Sequence, residues 1–311
     1  MTTRTKVRRA PAILAILLAG TTACAGCQGH VAGSPSALAA GNGAKAGGPT
    51  ATSTAATGGF LPSGAASALT TKSPRSIASS TAAAAPSPVS PLAGKVVALD
   101  PGHNGGNASH AAEIAQLVPQ GFGQYKACDT TGTEGPDGYT EHQFNFQVAL
   151  LVEALLQQRG ITVVMTRTDD SSVGPCVDKR AAIGNDAHAA AAVSIHADGG
   201  PVGGRGYQLL EAVQSVGGSG VDAASHQLAV DLHATFDRES GLTPSTYIGT
   251  NGYEPRDDLA GLNLTTVPKI LVECGNMQNA DDLAIEESAS GRRHIAGAIA
   301  DGIITFLTSG G

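Results

Sequence analysis

The sequence predicts an α/β domain with a largely parallel or mixed β-sheet flanked by helices. Two observations predict it. Short apolar runs rich in β-branched residues alternate with longer stretches whose apolar residues recur at spacings of three and four. Polar residues also stand just past the ends of three of those runs, where open parallel sheets place ligand groups.

Taken in order, the first strand is expected at 95–100, where Val96-Val97-Ala98-Leu99 runs into Asp100-Pro101-Gly102-His103-Asn104. A long Gly-rich, polar loop over 104–140 follows, and a loop of that length is expected to line or cover a groove. A helix is expected over 141–159. Phe144, Val148, Leu151, Leu155 and Leu156 make its stripe, Thr140 is the N-cap candidate, and Gly160 marks the stop. Strands are expected at 161–167, 191–196, 206–212 and 269–274, short and rich in β-branched residues as fits strands covered on both faces. Helical patterns at 177–188, 222–240 and 291–307 complete the alternation, so 95–311 reads as one catalytic domain.

The remainder of the 311 residues has a different composition. Residues 1–94 hold no Asp or Glu and seven of the 19 Lys and Arg, leaving 95–311 with all 26 acidic residues and a net charge of −14. That charge opposes nucleic-acid binding, and the absence of Trp argues against a stacking platform. Residues 1–27 read as a secretion signal: Arg4, Lys6, Arg8 and Arg9 precede the apolar run Ala12–Ala19, which is too short to span a bilayer. Two processing readings stay open. Thr21-Thr22-Ala23-Cys24 resembles a lipobox with Cys24 as the lipidated residue, and Ala23-Cys24-Ala25 fits a cleavage site that releases the protein. Residues 28–94, dominated by Ala, Ser, Gly, Thr and Pro, are expected to be a disordered linker or tether. The expected destination is extracytoplasmic, at the wall or membrane-anchored, and a monomer is expected. Any contact with the membrane would run through the N-terminal lipid alone.

The candidates for chemistry are His103, Glu141, His196 and Glu273. Two histidines and a carboxylate can bind zinc and leave a fourth position for water, and a second carboxylate can take that water's proton. Each residue also has a plainer reading. His103 and His196 could be turn or core histidines bonded to backbone. Glu141 is favoured in a first helical turn by the dipole, with His142 as a rival ligand. Glu273 ends an apolar strand, where a charge is costly unless it is paired, for instance with Arg167 or Arg180, bound to metal, or exposed in a cleft. Gly102 is expected to permit a tight turn that aims His103. Asp100 and Asp198 are candidates to hold a ligand's outer imidazole nitrogen, or to cap. Cys128 and Cys176 lie in loop-like sequence of an exported domain and are paired as a disulfide. Cys274 reads as a buried thiol, with a zinc ligand or nucleophile as the alternative.

Together the segments VVALDPGHNG, TEHQFNFQVAL, RAAIGNDAHAAAAVSIHADGG and PKILVECGNMQNADD resemble the zinc-dependent N-acetylmuramoyl-L-alanine amidases, the type 3 family of cell-wall hydrolases. ACDTTGTEGPDGYTEH, GPCVDKRA, SIHADGGP and LAGLNL look especially like mycobacterial members of it. The resemblance implies a twisted sheet wrapped by helices. It implies one Zn2+ held by His103, Glu141 and His196, with Glu273 as the catalytic carboxylate. It implies peptidoglycan as partner, cut at the amide between N-acetylmuramic acid and L-alanine of the stem peptide. Cys274 stands where the family often has an aliphatic residue or threonine. Asp198 and Asn263 are expected substrate contacts. Two competing readings are a zinc carboxypeptidase-like exopeptidase, whose terminus pocket Arg167, Arg180 or Arg205 could supply, and a non-catalytic wall-binding or regulatory protein.

Overall fold

The computed structural model describes residues 91–310. The expected signal at 1–27, Cys24 and all of the expected linker except residues 91–94 lie outside the described residues. Leu92 is already in the core, so packing begins slightly before Lys95.

The elements run β1 (Val96–Pro101), α1 (Ala111–Ile114), β2 (Leu117–Gly121), β3 (Gln124–Ala127), α2 (Glu141–Gln157), β4 (Thr162–Met165), α3 (Val177–Asp186), β5 (Ala191–Asp198), β6 (Gln208–Ala212), α4 (Ser219–Thr235), β7 (Tyr253–Arg256), α5 (Ala260–Asn263), β8 (Lys269–Asn276), α6 (Ala280–Glu287) and α7 (Ala289–Ser309). The six-stranded sheet has the order β4-β1-β5-β8-β6-β7. Its first four strands are mutually parallel, β6 runs antiparallel to β8, and β7 is parallel to β6. The sheet is therefore mixed and mostly parallel, as expected. The long loop contains a separate hairpin, β2–β3, that the sequence reading passed over. The expected helix over 222–240 is α4 continued by a π-helical turn, Phe236–Ser240, and it stops at Gly241 in the left-handed region. Thr140 does stand at the N-cap of α2, but its hydroxyl caps nothing.

Strand alternation sorts the sheet into two unlike faces. Val97, Leu99, Val193, Ile195, Leu209 and Val272 point to one side, where Phe144 and Val148 of α2, Leu228 and Leu232 of α4, and Ile299 and Ile303 of α7 bury them. Ala98, Asp100, Ala192, Ser194, His196, Lys269, Leu271 and Glu273 take the other register, on the side met by α3 and α5. The first face supplies most of the apolar burial. The second carries the small and polar side chains, and its carboxyl ends are where a site can open.

Asp100 lies at the middle of that second face, 5 % exposed. Its carboxylate accepts from Thr166 Oγ1 at 2.8 Å, Ser194 Oγ at 2.7 Å, Arg180 Nη1 at 3.1 Å and Lys269 Nζ at 3.1 Å. Burial opposes its charge, but Lys269 and Arg180 outweigh burial and hold the carboxyl well below its ordinary range. Glu286 of α6 is the opposite case. It is fully buried, neither oxygen has a partner, and burial reinforced by Asp282 and Glu141 pushes its pKa well up.

Asp100→Asn should cost about 3–5 kcal/mol, because it leaves buried Lys269 without its carboxylate and takes from Arg180 one of its two; urea unfolding measures it. The Asp100 contribution is present in full above its ordinary value of 3.8 and fades as pH falls below it. Glu286→Met should instead stabilise by about 1–3 kcal/mol, since it removes an unsatisfied buried polar group. That gain should grow as pH rises above 4.5, where the unfolded chain sheds a proton that the fold retains, and unfolding curves at pH 4 and pH 7 check the sign.

Candidate active site

β1, β5 and β8 end side by side, and their parallel register fixes what meets there. His196 pairs with Glu273 across β5 and β8, and Gly102 N donates to Ile195 O, which carries the β1 turn over β5. α2 starts above these ends and points Glu141, 5 % exposed, into them. Glu141 Oε1 lies 3.2 Å from His103 Nε2 and 2.8 Å from His196 Nδ1. The two imidazoles meet edge to face with centroids 5.0 Å apart. One donor atom from each of His103, Glu141 and His196 falls within 4.8 Å of the others. Glu141 Oε2 accepts from Thr133 N at 2.9 Å, and Asn145, one turn along α2, donates to Oε1 at 3.3 Å.

The field at this point favours positive charge. Burial works against an imidazolium at His103, yet Glu141 and Asp129 outweigh it and push the pKa up to about 10. Two imidazole nitrogens and a carboxylate are also the donor set that suits zinc and leaves a position open. The residues present therefore fit a divalent cation.

Glu273 faces the same space and forms no ion pair among the described residues. Oε2 is buried without a partner, and burial, then Glu141 and Asp198, raise its pKa well above the ordinary 4.5. The expected alternative partners are engaged elsewhere. Arg167 donates to Pro101 O, Gly102 O, His142 O and Asp170, and Arg180 to Pro101 O, His103 O, Asp100 and Asp129. His142, the rival ligand, turns away to Asp170 at 2.9 Å. Cys274 is a buried free thiol on the opposite face, as its plainer reading held.

Two expectations change. Gly102 does not make the turn through its own backbone; the left-handed residue is His103, at φ 58°. Gly102 is bare because a Cβ there would lie 2.0 Å from His196 Cε1. The outer nitrogen of His103 is held neither by Asp100 nor by Asp198, but by Asp129 Oδ1 at 3.0 Å and Thr130 O at 3.2 Å. Asp198 and Asn263, the expected substrate contacts, both have hydrogen-bond partners within the chain. Asp198 is committed to Tyr247 OH at 2.7 Å, Gln208 Nε2 at 3.2 Å and Gly199 N at 2.7 Å, and Asn263 is 1 % exposed with Nδ2 on Asp257 O.

A cavity of about 300 Å³ opens from His103, His196 and Glu273 between β3 and α5. Lys126, Arg256, Leu210 and Leu262 are among its walls, so the long loop does line the groove, through β3. Sequence reasoning missed Asp129, Lys126, Arg256, Tyr247 and Asn145. Asn145 alone had a local signal, its i+4 spacing from Glu141 on one helix face. Cys128 and Cys176 form the disulfide.

Residues 97–305 match the N-acetylmuramoyl-L-alanine amidase family. The chain belongs to that family. This amidase is 42 % identical over 226 residues to N-acetylmuramoyl-L-alanine amidase Rv3717 of Mycobacterium tuberculosis, an alignment spanning 71 % of this chain and 89 % of that one. Its fold is similar to the crystal structure of the N-acetylmuramyl-L-alanine amidase Ami1 from Mycobacterium smegmatis, at 45 % identity and a TM-score of 0.67 over 70 % of this chain and 99 % of that one. The apo form of Ami1 from Mycobacterium abscessus is similar at 46 % identity and a TM-score of 0.66, over 70 % of this chain and 100 % of that one.

Gly102→Ala should displace the His196 ring, because the overlapping atoms belong to the ring itself. The amidase should then lose cation binding at this site, read by chelator competition, while its far-ultraviolet circular dichroism stays native.

Proposed function

We propose that this amidase hydrolyses the amide between the lactyl group of N-acetylmuramic acid and L-alanine of the stem peptide in peptidoglycan, with one zinc ion held by His103, Glu141 and His196. The observation that carries this reading is the convergence of those three donors beside a cavity that His103 and His196 line together with Glu273, whose Oε2 has no hydrogen-bond partner. A bound zinc ion supplies a Lewis acid that lowers the pKa of water toward 7 and polarises a carbonyl.

The chain's own residues do the rest. Glu141 and the two imidazoles present their lone pairs to one point, and the desolvated surroundings strengthen their pull on a cation. Glu273 takes the proton of the attacking water and delivers it to the nitrogen of the departing L-alanine. Its raised pKa suits both halves of that transfer, since it makes the carboxylate a better base and the acid able to hold the proton until the C–N bond breaks. The Asp198–Tyr247–Gln208 group supports the floor beside it, with Gln208 opposite Glu273 in the β6–β8 register.

The exopeptidase reading loses its support at the arginines. Arg167 and Arg180 are buried and spent on backbone carbonyls and aspartates, and Arg205 pairs with Asp281. A non-catalytic role is disfavoured by the presence of the fourth group, Glu273, whose buried Oε2 has no hydrogen-bond partner to justify it. Export fits a wall substrate, and the disulfide fits an oxidising compartment.

The test is incubation of the purified chain, with zinc and after chelation, with muramyl dipeptide and with polymeric peptidoglycan, products being identified by mass spectrometry. Zinc-dependent release of an intact peptide with a free L-alanine amine is expected; cleavage inside the peptide would overturn the assignment. Glu273→Gln should lower kcat by about 10²–10⁴-fold with zinc stoichiometry unchanged.

A further inference from the structure

We propose that Asp129, held by Arg180 and tethered by the Cys128–Cys176 disulfide, is the positioning residue that orients His103 and sets how tightly the site holds zinc. This rests on the metal-centre reading above.

His103 needs an external hold. Its backbone is in the left-handed region, which a non-glycine residue occupies only where its surroundings enforce it. The surroundings here act on both ends of the residue. At the ring, Nδ1 lies 3.0 Å from Asp129 Oδ1 and 3.2 Å from Thr130 O, two acceptors. In the neutral ring that holding a cation requires, Nδ1 therefore keeps the proton and the lone pair falls on Nε2, the nitrogen beside Glu141. At the backbone, Arg180 Nη2 donates to His103 O at 2.9 Å, and Nη1 donates to Pro101 O at 2.8 Å. The same guanidinium reaches Asp129 Oδ2 at 3.3 Å. One arginine thus holds the main chain of the ligand directly and its imidazole through Asp129.

Asp129 belongs to no helix or strand, so something must fix it. Its backbone N donates to Ile114 O at 3.1 Å, and its Oδ1 accepts from Thr130 N at 2.7 Å. The residue before it is Cys128, and Cys176 is the N-cap of α3, the helix that places Arg180 one turn later. Val177 N donates to Cys128 O at 2.8 Å, so the crosslink and a backbone bond pin the Asp129 segment to the start of α3. The disulfide joins the two partners of His103 to each other. It lies outside the donor set itself. Asp129 is buried, as is Arg180, so the pair is not loosened by solvent.

The experiment measures zinc dissociation constants of the full chain by competition with a chromophoric chelator, and follows the downfield Nδ1 proton of His103 by NMR in the zinc-loaded protein. Wild type should bind zinc and show the proton. Asp129→Asn should weaken zinc binding by about 10–100-fold, the range for removal of a ligand's outer partner, and should shift or lose that proton. The Cys128→Ser/Cys176→Ser variant keeps Asp129 and should weaken zinc in the same direction by less. A purely structural role for Asp129 would lower the unfolding temperature and leave both readouts where they were, and that result overturns the proposal. So does a disulfide-free variant with wild-type zinc affinity, for the tether. Wild-type protein that binds no zinc would instead overturn the metal-centre reading itself, and this inference with it.

Discussion

One buried carboxylate holds together the face from which the site is made. Asp100 sits on β1, and its four partners come from the end of β4, from β5, from β8 and from α3. A sheet face built from Ala98, Ala192 and Ser194 has little apolar area with which to draw strands and helix together. Charge and hydrogen bonds replace it. The arrangement is stable because every lone pair is used and two cations offset one buried anion's loss of water. It also explains why the carboxyl ends of β1, β5 and β8 keep a common level, on which the convergence of His103, His196 and Glu273 depends.

The two faces divide the work. The apolar face, with α2, α4 and α7, behaves as an ordinary core and supplies the hydrophobic stabilisation. The opposite face is thin, polar and partly hollow, and reactive groups can be desolvated there without being covered. Glu141 connects the two, since α2 packs on the first face and delivers its first residue to the second.

What was legible in the sequence follows this division. β1, β4, β5, β6, β8 and helices α2, α3, α4 and α7 all have enough apolar periodicity to be seen. The β2–β3 hairpin has not: its strands are four or five residues long, contain Pro119, and leave Leu117 and Tyr125 in solvent. β7, Tyr253–Arg256, is an edge strand with a proline and two charges. His103, His196 and Glu273 stood out as candidates because each ends or follows an apolar strand run, and Glu141 because it opens a periodic helix; their roles came only with the resemblance. Asp129 was not, because its meeting with His103 depends on how a 37-residue loop folds back, and no local pattern encodes that. Gly102 was noticed for the wrong reason. Its type suggested backbone freedom, whereas the fold needed its missing volume.

That missing volume recurs. Gly132, across the His103–Glu141–His196 cluster from Gly102, would place a Cβ 2.8 Å from both Glu141 Oε2 and His103 Cδ2. The donor cluster is therefore flanked by two positions that contribute by withholding atoms. Copying His103, Glu141, His196 and Glu273 onto another α/β scaffold would reproduce the inventory of the site and miss its mould. The imidazoles would be crowded off their shared focus by ordinary side chains that no list of ligands mentions. In this fold, emptiness at two places shapes the cluster as much as the histidines do.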